Sequence, residues 1–200
     1  MDDRRQFRPV VERNREPILE VLKLELPDEG LLLEVASGSG EHAMYFAEHL
    51  PRLTIQPSDP DAEARASIDS WREHLGLVNV RPALDLDVTR LPWPLERADA
   101  VLCINMVHIS PWRCTEALMR GAAGVLDEGA PLLTYGPYRR GGRHTAPSNA
   151  AFDESLRARN PAWGVRDLEQ VQAEAEKNGL KLADVVAMPA NNFTLVFRKA

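Results

Sequence analysis

Apolar positions alternate between helix-like and strand-like spacing along most of the chain. Residues 16–26 place apolar side chains on one helical face, with Pro17 near the helix start, where its missing N–H costs nothing. The apolar run at residues 31–35 is typical of a strand buried on both faces. Similar spacing predicts further helices at residues 41–49, 62–74 and 113–126, and further strands at residues 53–56, 78–84, 100–105 and 130–135.

The last third of the chain has a different pattern. Residues 139–144 form a basic loop, and helices are predicted at residues 149–159 and 167–178. Strands at residues 181–188 and 193–198 are separated by too short a segment for a crossover helix, so they are expected to pair antiparallel. The whole pattern predicts one α/β domain over residues 1–200, Rossmann-like and doubly wound, which begins with a helical segment at residues 1–30.

The composition narrows the classes of function. The chain has 200 residues, of which 44% are hydrophobic and 27% charged, and its net charge is −6. This acidic balance gives no general attraction to nucleic acid or to an anionic membrane, so neither is expected as a partner. Cys103 and Cys114 lie outside any C-x-x-C motif, and no metal site is expected. Because no signal peptide or membrane-spanning run is present, the chain is expected to be cytoplasmic.

The glycine-containing loop after the first predicted strand is the most informative motif. Gly38 and Gly40 let the main chain turn sharply and approach a ligand, and the following helix start offers free N–H groups to an anionic group. Asp59 follows the next strand, where a carboxylate can accept both ribose hydroxyl protons. Asp85 and Asp87 lie within reach of an adenine amino group, although one of them is expected to be a turn residue. The loop predicts a nucleotide cofactor, with a plain tight turn as the alternative.

Two cofactors fit this loop. Gly38-x-Gly40-x-x-Ala43 satisfies the dinucleotide fingerprint, which makes an NAD-dependent dehydrogenase a competing hypothesis. Against it, Glu34 precedes the loop, and neither tyrosine of residues 135–138 has a lysine four positions later, as the short-chain dehydrogenases require. S-adenosylmethionine is therefore the favoured cofactor.

The motif E-x-A-x-G-x-G at residues 34–40, together with Asp59 and the closing strand pair, resembles the class I S-adenosylmethionine-dependent methyltransferase fold, with Ala36 in place of the first glycine. Over residues 13–198 the chain resembles more specifically the methyltransferase-like protein 26 family and its bacterial relatives, whose function is uncharacterised. The segments that carry this resemblance are NMVHISPW at 105–112, YGPY at 135–138, SNAAFD at 148–153, PAWGVRD at 161–167 and MPANN at 188–192.

The resemblance implies a seven-stranded, mostly parallel sheet of strand order 3-2-1-4-5-7-6, in which the last inserted strand is antiparallel. It also implies roles for three acids: Glu34 would orient the glycine loop and the methionine end of S-adenosylmethionine, Asp59 would hold the ribose, and Asp87 or its neighbour would approach the adenine. The expected cofactor-binding residues are Glu34, Ala36, Gly38, Gly40, Asp59, Asp87 and Asn105.

Methyl transfer depends mainly on in-line positioning of the acceptor, so a dedicated base is optional. His108 and Tyr135 follow predicted strands at the end of the sheet where ligands bind in open α/β folds, which makes them the candidate catalytic residues. The alternatives are a helix-entry histidine that is hydrogen-bonded to a backbone carbonyl and a tyrosine that only walls the core.

Residues 136–170 are expected to form the substrate side of the site. The expected substrate contacts are Tyr138, Arg166, Asn191 and Asn192. Their alternatives are a core position for Tyr138, a salt bridge from Arg166 to Asp153 or Asp167, and a hairpin turn at the two asparagines. The basic loop at residues 139–144 is either a solvated loop or a lid over an anionic substrate.

The chain is thus predicted to be an S-adenosylmethionine-dependent methyltransferase acting on a small or medium-sized molecule. One alternative is a non-catalytic S-adenosylmethionine-binding module that works through a partner protein, and a less favoured one is the NAD-dependent dehydrogenase. Residues 105–108 depart from the Asn/Asp-Pro-Pro-Tyr/Phe pattern of many methyltransferases that act on amino groups of nucleic acids and proteins. The sequence indicates neither the acceptor atom nor the oligomeric state.

Overall fold

A computed structural model describes residues 3–200 and has a six-stranded sheet at its centre, beside a small three-stranded sheet. The strands are β1 (Gly30–Val35), β2 (Leu53–Ser58), β3 (Ala100–Ile104), β4 (Pro131–Gly136), β5 (Tyr138–Arg140), β6 (Arg143–His144), β7 (Arg166–Asp167), β8 (Leu180–Met188) and β9 (Asn192–Lys199). The helices are α1 (Pro9–Glu25), α2 (Glu41–His49), α3 (Ala62–Leu75), α4 (Trp112–Val125), α5 (Pro147–Arg159) and α6 (Leu168–Lys177).

The central sheet has the strand order β2-β1-β3-β4-β9-β8. Strands β1 to β4 are parallel to one another, whereas β9 pairs antiparallel with β4 on one side and with β8 on the other. The α/β class, the mostly parallel sheet and the antiparallel C-terminal strand are therefore confirmed. This arrangement brings the carboxyl ends of β1 to β4 to one edge, where open α/β folds bind their ligands.

Helices cover both faces of the sheet, which explains the unbroken apolar strands. Leu32 of β1 packs in one cluster with apolar side chains of α1, α2 and α3. Its neighbour Leu33 packs on the opposite face with side chains of α4 and α6. Because successive side chains of a strand point to opposite faces, both faces of β1 need apolar residues. No helix within residues 3–200 combines the length and apolar character needed to cross a bilayer.

The strand expected at residues 78–84 does not form, so the central sheet has six strands rather than seven. The missing strand is the one that the implied strand order places at the edge, beside β2. The segment still runs beside β2: the Arg81 N–H donates to the Ile55 carbonyl at 2.9 Å, and the Leu84 N–H donates to the Pro57 carbonyl at 2.9 Å. The ladder is broken into two isolated bridges because Pro57 of β2 has no N–H group to donate, and the Ala83 N–H donates to the Asp69 carboxylate at 2.9 Å instead of to β2. The Gln56 side-chain amide donates to the Pro82 carbonyl at 2.9 Å.

The first helix begins at Pro9, several residues before the predicted start, and contains Pro17 in its interior. Its extra turn is held by burial of Val11 and Asn14, and the ring of His42 on α2 is 2.8 Å from the Asn14 side-chain oxygen. The segment before it lies along α3, where the Gln6 N–H donates to the Ser67 hydroxyl at 2.9 Å. The first residue of α1 is therefore set by contacts between distant parts of the chain. The polar sequence before residue 16 gave no sign of these contacts.

The basic loop at residues 139–144 is a hairpin of β5 and β6, and β7 pairs with β5 to complete the small sheet. Arg139 forms an ion pair with Asp167 at 2.8 Å. The Gly141 N–H donates to a Glu169 carboxylate oxygen at 3.0 Å. These contacts tie the hairpin to the start of α6.

We expect Gly40→Ala to lower the free energy of unfolding by about 2–4 kcal/mol. Gly40 has φ +88°, and an added Cβ would lie 2.8 Å from Ile68 Cγ1 and 2.9 Å from Ile68 Cα, so the substitution strains the loop and pushes against α3. Gly129→Ala is the matched control, since its φ is +80° but an added Cβ meets nothing within 4 Å. Urea unfolding should show a loss of only about 1 kcal/mol for the control. Equal losses would contradict the close contact.

Candidate functional site

The loop between β1 and α2 is built from left-handed backbone conformations. Ala36, Gly38 and Gly40 have φ of +58°, +57° and +88°. Ala36 therefore takes the conformation of the glycine that the resemblance places there, at a cost of about 1–2 kcal/mol. An added Cβ at Gly38 meets nothing within 4 Å, so the main chain is open to a ligand at this point. Gly40 differs, because its lack of a Cβ is required by the contact with Ile68.

Asp59 connects the end of β2 to this loop. One carboxylate oxygen accepts the Gly38 N–H at 3.0 Å, and the other accepts the Asp61 N–H at 2.9 Å. Burial raises the pKa of Asp59, and the two backbone hydrogen bonds oppose that rise. Each oxygen still has room for a further hydrogen bond, since a carboxylate offers about four acceptor positions. Asp59 is thus placed to accept hydroxyl protons from a ligand beside Gly38.

Glu34 lies beneath the loop at the end of β1 and is only 2% exposed. Its backbone carbonyl accepts hydrogen bonds from the hydroxyls of Ser58 at 2.8 Å and Ser37 at 3.2 Å. Its side-chain Oε2 is buried and has no hydrogen-bond partner among residues 3–200. Burial raises the pKa of Glu34 to about 7, and the charge of Asp59 adds to the rise. A buried carboxylate oxygen without a partner is costly, so this one suits a cationic or hydrogen-bonding ligand group.

The two acids after the missing edge strand make local contacts. Asp87 accepts hydrogen bonds from the N–H and the hydroxyl of Thr89 at 2.9 and 2.7 Å, and these bonds lower its pKa. Asp85 pairs with Arg65 at 3.1 Å. Asp87 is therefore a turn-capping residue, and its approach to an adenine ring stays a prediction.

A cavity of about 700 Å³ opens at the carboxyl ends of β3 and β4. Asn105, immediately after β3, and Tyr135 of β4 line it, as do side chains of α1, α5 and the turn between β8 and β9. Asn105 has φ +64°, and its N–H donates to the Tyr135 carbonyl at 2.8 Å. The structure thus brings together two residues that the sequence assigned to different roles, cofactor binding for Asn105 and catalysis for Tyr135.

The Tyr135 phenol faces polar neighbours. Burial raises its pKa, and hydrogen bonding with Asn14 and Asn192 opposes the rise. Asn192 was expected to contact a substrate and does line the cavity. Sequence reasoning missed Asn14, whose one visible signal is a polar residue on the otherwise apolar face of α1. The arrangement holds the phenol among neutral amides, where it can donate to or accept from a ligand.

His108 is placed away from this cavity. Its side chain is fully buried, neither ring nitrogen has a hydrogen-bond partner within residues 3–200, and burial lowers its pKa to about 3. The ring packs edge-on against Tyr138, with centroids 4.8 Å apart, and a Cβ at Gly136 would overlap it. Its backbone carbonyl accepts the Gly164 N–H at 2.9 Å. The imidazole does not line the cavity, so its role as a base stays a prediction that this geometry does not favour.

Tyr138 and Arg166, two of the expected substrate contacts, do not line the cavity either. Tyr138 is fully buried, and its hydroxyl shares a 2.8 Å hydrogen bond with Thr134. Arg166 donates to the backbone carbonyls of Val107, Ser110 and Ala162, at 3.3, 2.8 and 2.8 Å. Neither expected salt bridge of Arg166 forms, and the guanidinium instead fastens the segment after β3 to the start of β7.

The Asn191 side chain is exposed, and its φ of +57° fits the hairpin-turn alternative. Its backbone carbonyl accepts a hydrogen bond from the Asn149 side chain at 2.9 Å. Asn149 lines the cavity, whereas Asn191 does not.

Comparison with known proteins was made at the levels of sequence and structure. The sequence profile of a family described as "Protein of unknown function (DUF938)" matches residues 5–199. Among solved structures, the chain resembles an O-methyltransferase family protein from Burkholderia thailandensis with a TM-score of 0.78 and 18% identity, over 92% of this chain and 56% of that one.

Two further solved structures share the fold. One is an O-methyltransferase family 2 protein from Planctomyces limnophilus in complex with apigenin, with a TM-score of 0.78 and 22% identity over 96% of this chain and 58% of that one. The other is human N-acetylserotonin methyltransferase in complex with S-adenosylmethionine, with a TM-score of 0.79 and 14% identity over 96% of this chain and 53% of that one. The class I methyltransferase fold is thus shown, and this chain spans little more than half the length of these proteins.

Proposed function

The chain belongs to the DUF938 family of proteins of unknown function, and we propose that it is an S-adenosylmethionine-dependent methyltransferase. The observation that carries this proposal is the buried, unpartnered carboxylate oxygen of Glu34 beneath a loop of left-handed residues, next to Asp59. The complex of human N-acetylserotonin methyltransferase with S-adenosylmethionine supports the same cofactor in this fold. The narrower kinship with the methyltransferase-like protein 26 family is part of the same proposal.

The residues of the loop fit this cofactor chemically. Asp59 has acceptor capacity for the two ribose hydroxyls, and the open main chain at Gly38 allows close approach. Glu34 offers negative charge to the ammonium group of the methionine end, which would give the unpaired Glu34 oxygen a partner. The bound cofactor would supply an electrophilic methyl group on a sulfonium sulfur. Asp87 and Asn105 complete the proposed cofactor contacts.

The cavity at the ends of β3 and β4 is the proposed acceptor site, with residues 136–170 as its outer wall. Catalysis by positioning needs a fixed acceptor atom and the exclusion of water, and an acceptor that fills this cavity would supply both. Tyr135 can hold the proton-bearing group of an acceptor, and Asn105 can fix its orientation through the amide. We assign His108, which packs behind Gly136, to positioning the turn after β4.

The presence of this cavity also favours catalysis over a non-catalytic cofactor-binding module, which needs no acceptor site. Calorimetric titration tests the proposal itself. We expect S-adenosylmethionine and S-adenosylhomocysteine to bind the folded chain with a one-to-one stoichiometry, and NAD not to bind. Binding of NAD in preference to both adenosyl compounds would support the dehydrogenase alternative, and binding of none of the three would refute the proposal.

Tyr135→Phe is expected to lower the rate of methyl transfer by about 100-fold while leaving the affinity for S-adenosylhomocysteine unchanged. The matched control is Tyr138→Phe, which removes a buried hydroxyl that is 2.8 Å from Thr134 and away from the cavity. Transfer of labelled methyl from S-adenosylmethionine would be measured on the acceptor that the wild type labels most rapidly in a library of phenols and aromatic acids. An unchanged rate for Tyr135→Phe would remove the phenol from the mechanism.

A further inference from the structure

The acceptor cavity contains one charged side chain, that of Arg13 on α1. Within residues 3–200 the structure gives the Arg13 side chain no hydrogen bond and no ion pair, although the chain as a whole is acidic with a net charge of −6. No aspartate or glutamate lines the cavity. An anionic ligand would therefore meet a free guanidinium and no opposing carboxylate at this wall.

A neighbouring histidine adds no positive charge beside Arg13. His42 contacts Asn14, the residue after Arg13, and burial lowers the pKa of His42 to about 4. The imidazole is consequently uncharged near neutral pH. Its hydrogen bond occupies the Asn14 side-chain oxygen, so the Asn14 amide N–H groups act as donors toward other neighbours, among them the Tyr135 phenol.

The rim of the cavity is apolar and exposed. Val10, Ile109 and Phe152 are 43%, 42% and 41% exposed, and all three border this one cavity. Large apolar side chains that gather around a cavity rather than scatter over the surface indicate a site for an apolar ligand. They come from α1, the segment after β3, and α5, so three separate parts of the chain converge here.

The unpaired guanidinium of Arg13 and the apolar rim together favour a ligand that has both an anionic group and an apolar part. Resting on the methyltransferase function above, we propose that the methyl acceptor is an aromatic carboxylic acid whose carboxylate pairs with Arg13 and whose ring packs against Phe152 and Ile109. The carboxylate is the recognition group, and the methyl group would pass from the sulfonium sulfur to a hydroxyl oxygen on the ring. The S–CH3 bond breaks as the O–CH3 bond forms, S-adenosylhomocysteine is the leaving group, and the hydroxyl proton is released to water. A planar guanidinium pairs with a carboxylate through two parallel hydrogen bonds, which also fixes the orientation of the ring.

A pair of probes that differ only in charge tests this inference. Calorimetry on the full chain would compare 2-naphthoate with the neutral 2-naphthamide, each with and without saturating S-adenosylhomocysteine. We expect the wild type to bind 2-naphthoate about tenfold more tightly, and Arg13→Gln to remove that preference. Phe152→Ala should weaken both probes equally. Arg81→Gln is the control, since Arg81 is also exposed but does not line the cavity.

The remaining outcomes separate this inference from the function on which it rests. If Arg13→Gln weakens S-adenosylhomocysteine and leaves the preference for naphthoate unchanged, Arg13 belongs to the cofactor site and the inference is wrong. If wild type binds neither probe, the inference is also wrong, and the apolar rim is better explained by a protein partner. If the probes behave as expected but S-adenosylhomocysteine fails to bind, the methyltransferase proposal alone is refuted.

Discussion

Asp59→Ala should weaken binding of S-adenosylhomocysteine by roughly 100-fold, or about 3 kcal/mol. Hydrogen bonds to a charged acceptor contribute about 1.5–3 kcal/mol each, and two ribose hydroxyls are available to this carboxylate. Asp28→Ala is the control, because Asp28 pairs with Arg52 on the surface and lies outside the site. Calorimetry on both variants measures the difference.

Asp59 also accepts the N–H groups of Gly38 and Asp61, so the substitution could act by loosening the loop. Adenosine and 2′,3′-dideoxyadenosine distinguish the two effects. If Asp59 binds the ribose, wild type prefers adenosine and Asp59→Ala loses the preference. A purely structural role would weaken both nucleosides equally and would contradict the proposed contact.

The second large effect is a dependence of stability on pH that is set by Glu34. Burial raises the pKa of this carboxyl from its ordinary 4.5 to about 7, so between these values the folded chain binds more protons than the unfolded chain. The contribution of Glu34 to stability therefore falls as pH rises through this window. Above pH 7 this pKa shift corresponds to a loss of about 3 kcal/mol in the free energy of unfolding.

Glu34→Gln should remove this loss. Relative to wild type, the variant should gain about 3 kcal/mol in the free energy of unfolding between pH 5 and pH 8. The free energy of unfolding of the variant must be compared with that of wild type at each pH, because two histidines also make stability depend on pH. Burial lowers the pKa values of His42 and His108 to about 4 and about 3, so the stability of both proteins rises with pH below about 6.5.

Urea unfolding at a series of pH values provides the measurement, and Glu48→Gln, at an exposed position of α2, is the control. A difference between Glu34→Gln and wild type that does not change with pH would mean that the carboxylate is not held in an apolar, unpartnered state. The same linkage predicts that S-adenosylmethionine binds more tightly as pH rises from 6 to 8, because the ammonium group of its methionine end favours the ionised form of Glu34.

Most of the sheet was predictable because its signals are local. The apolar run at Leu31–Val35 stands between a turn and the glycine loop, and the segment between β8 and β9 is too short for anything but antiparallel pairing. The edge segment at residues 78–84 shows where apolar spacing fails. It has the right apolar residues and the right neighbour, but Pro57 of β2 has no N–H group and the Ala83 N–H donates to Asp69, so the ladder is interrupted.

The candidate site was predictable only in part, since sequence position places a residue near an edge of the sheet without fixing its direction. Tyr135 and Tyr138 are separated by a Gly-Pro turn, and that turn directs one phenol to the cavity and the other into the core. His108 lies three residues after Asn105, yet its ring turns inward against Tyr138. Arg13 and Asn14 reach the cavity because α1 packs over the sheet, which no pattern within α1 reveals.

The central claim is that the loop after β1 and Asp59 hold an adenosyl cofactor. A crystal structure of the full chain with S-adenosylhomocysteine tests it most directly. We expect the ribose hydroxyls to lie within hydrogen-bond distance of the Asp59 carboxylate, and the ligand to lie against the main chain at Gly38. An empty crevice in crystals soaked at saturating ligand, or a nicotinamide dinucleotide carried there from the host cell, would contradict it.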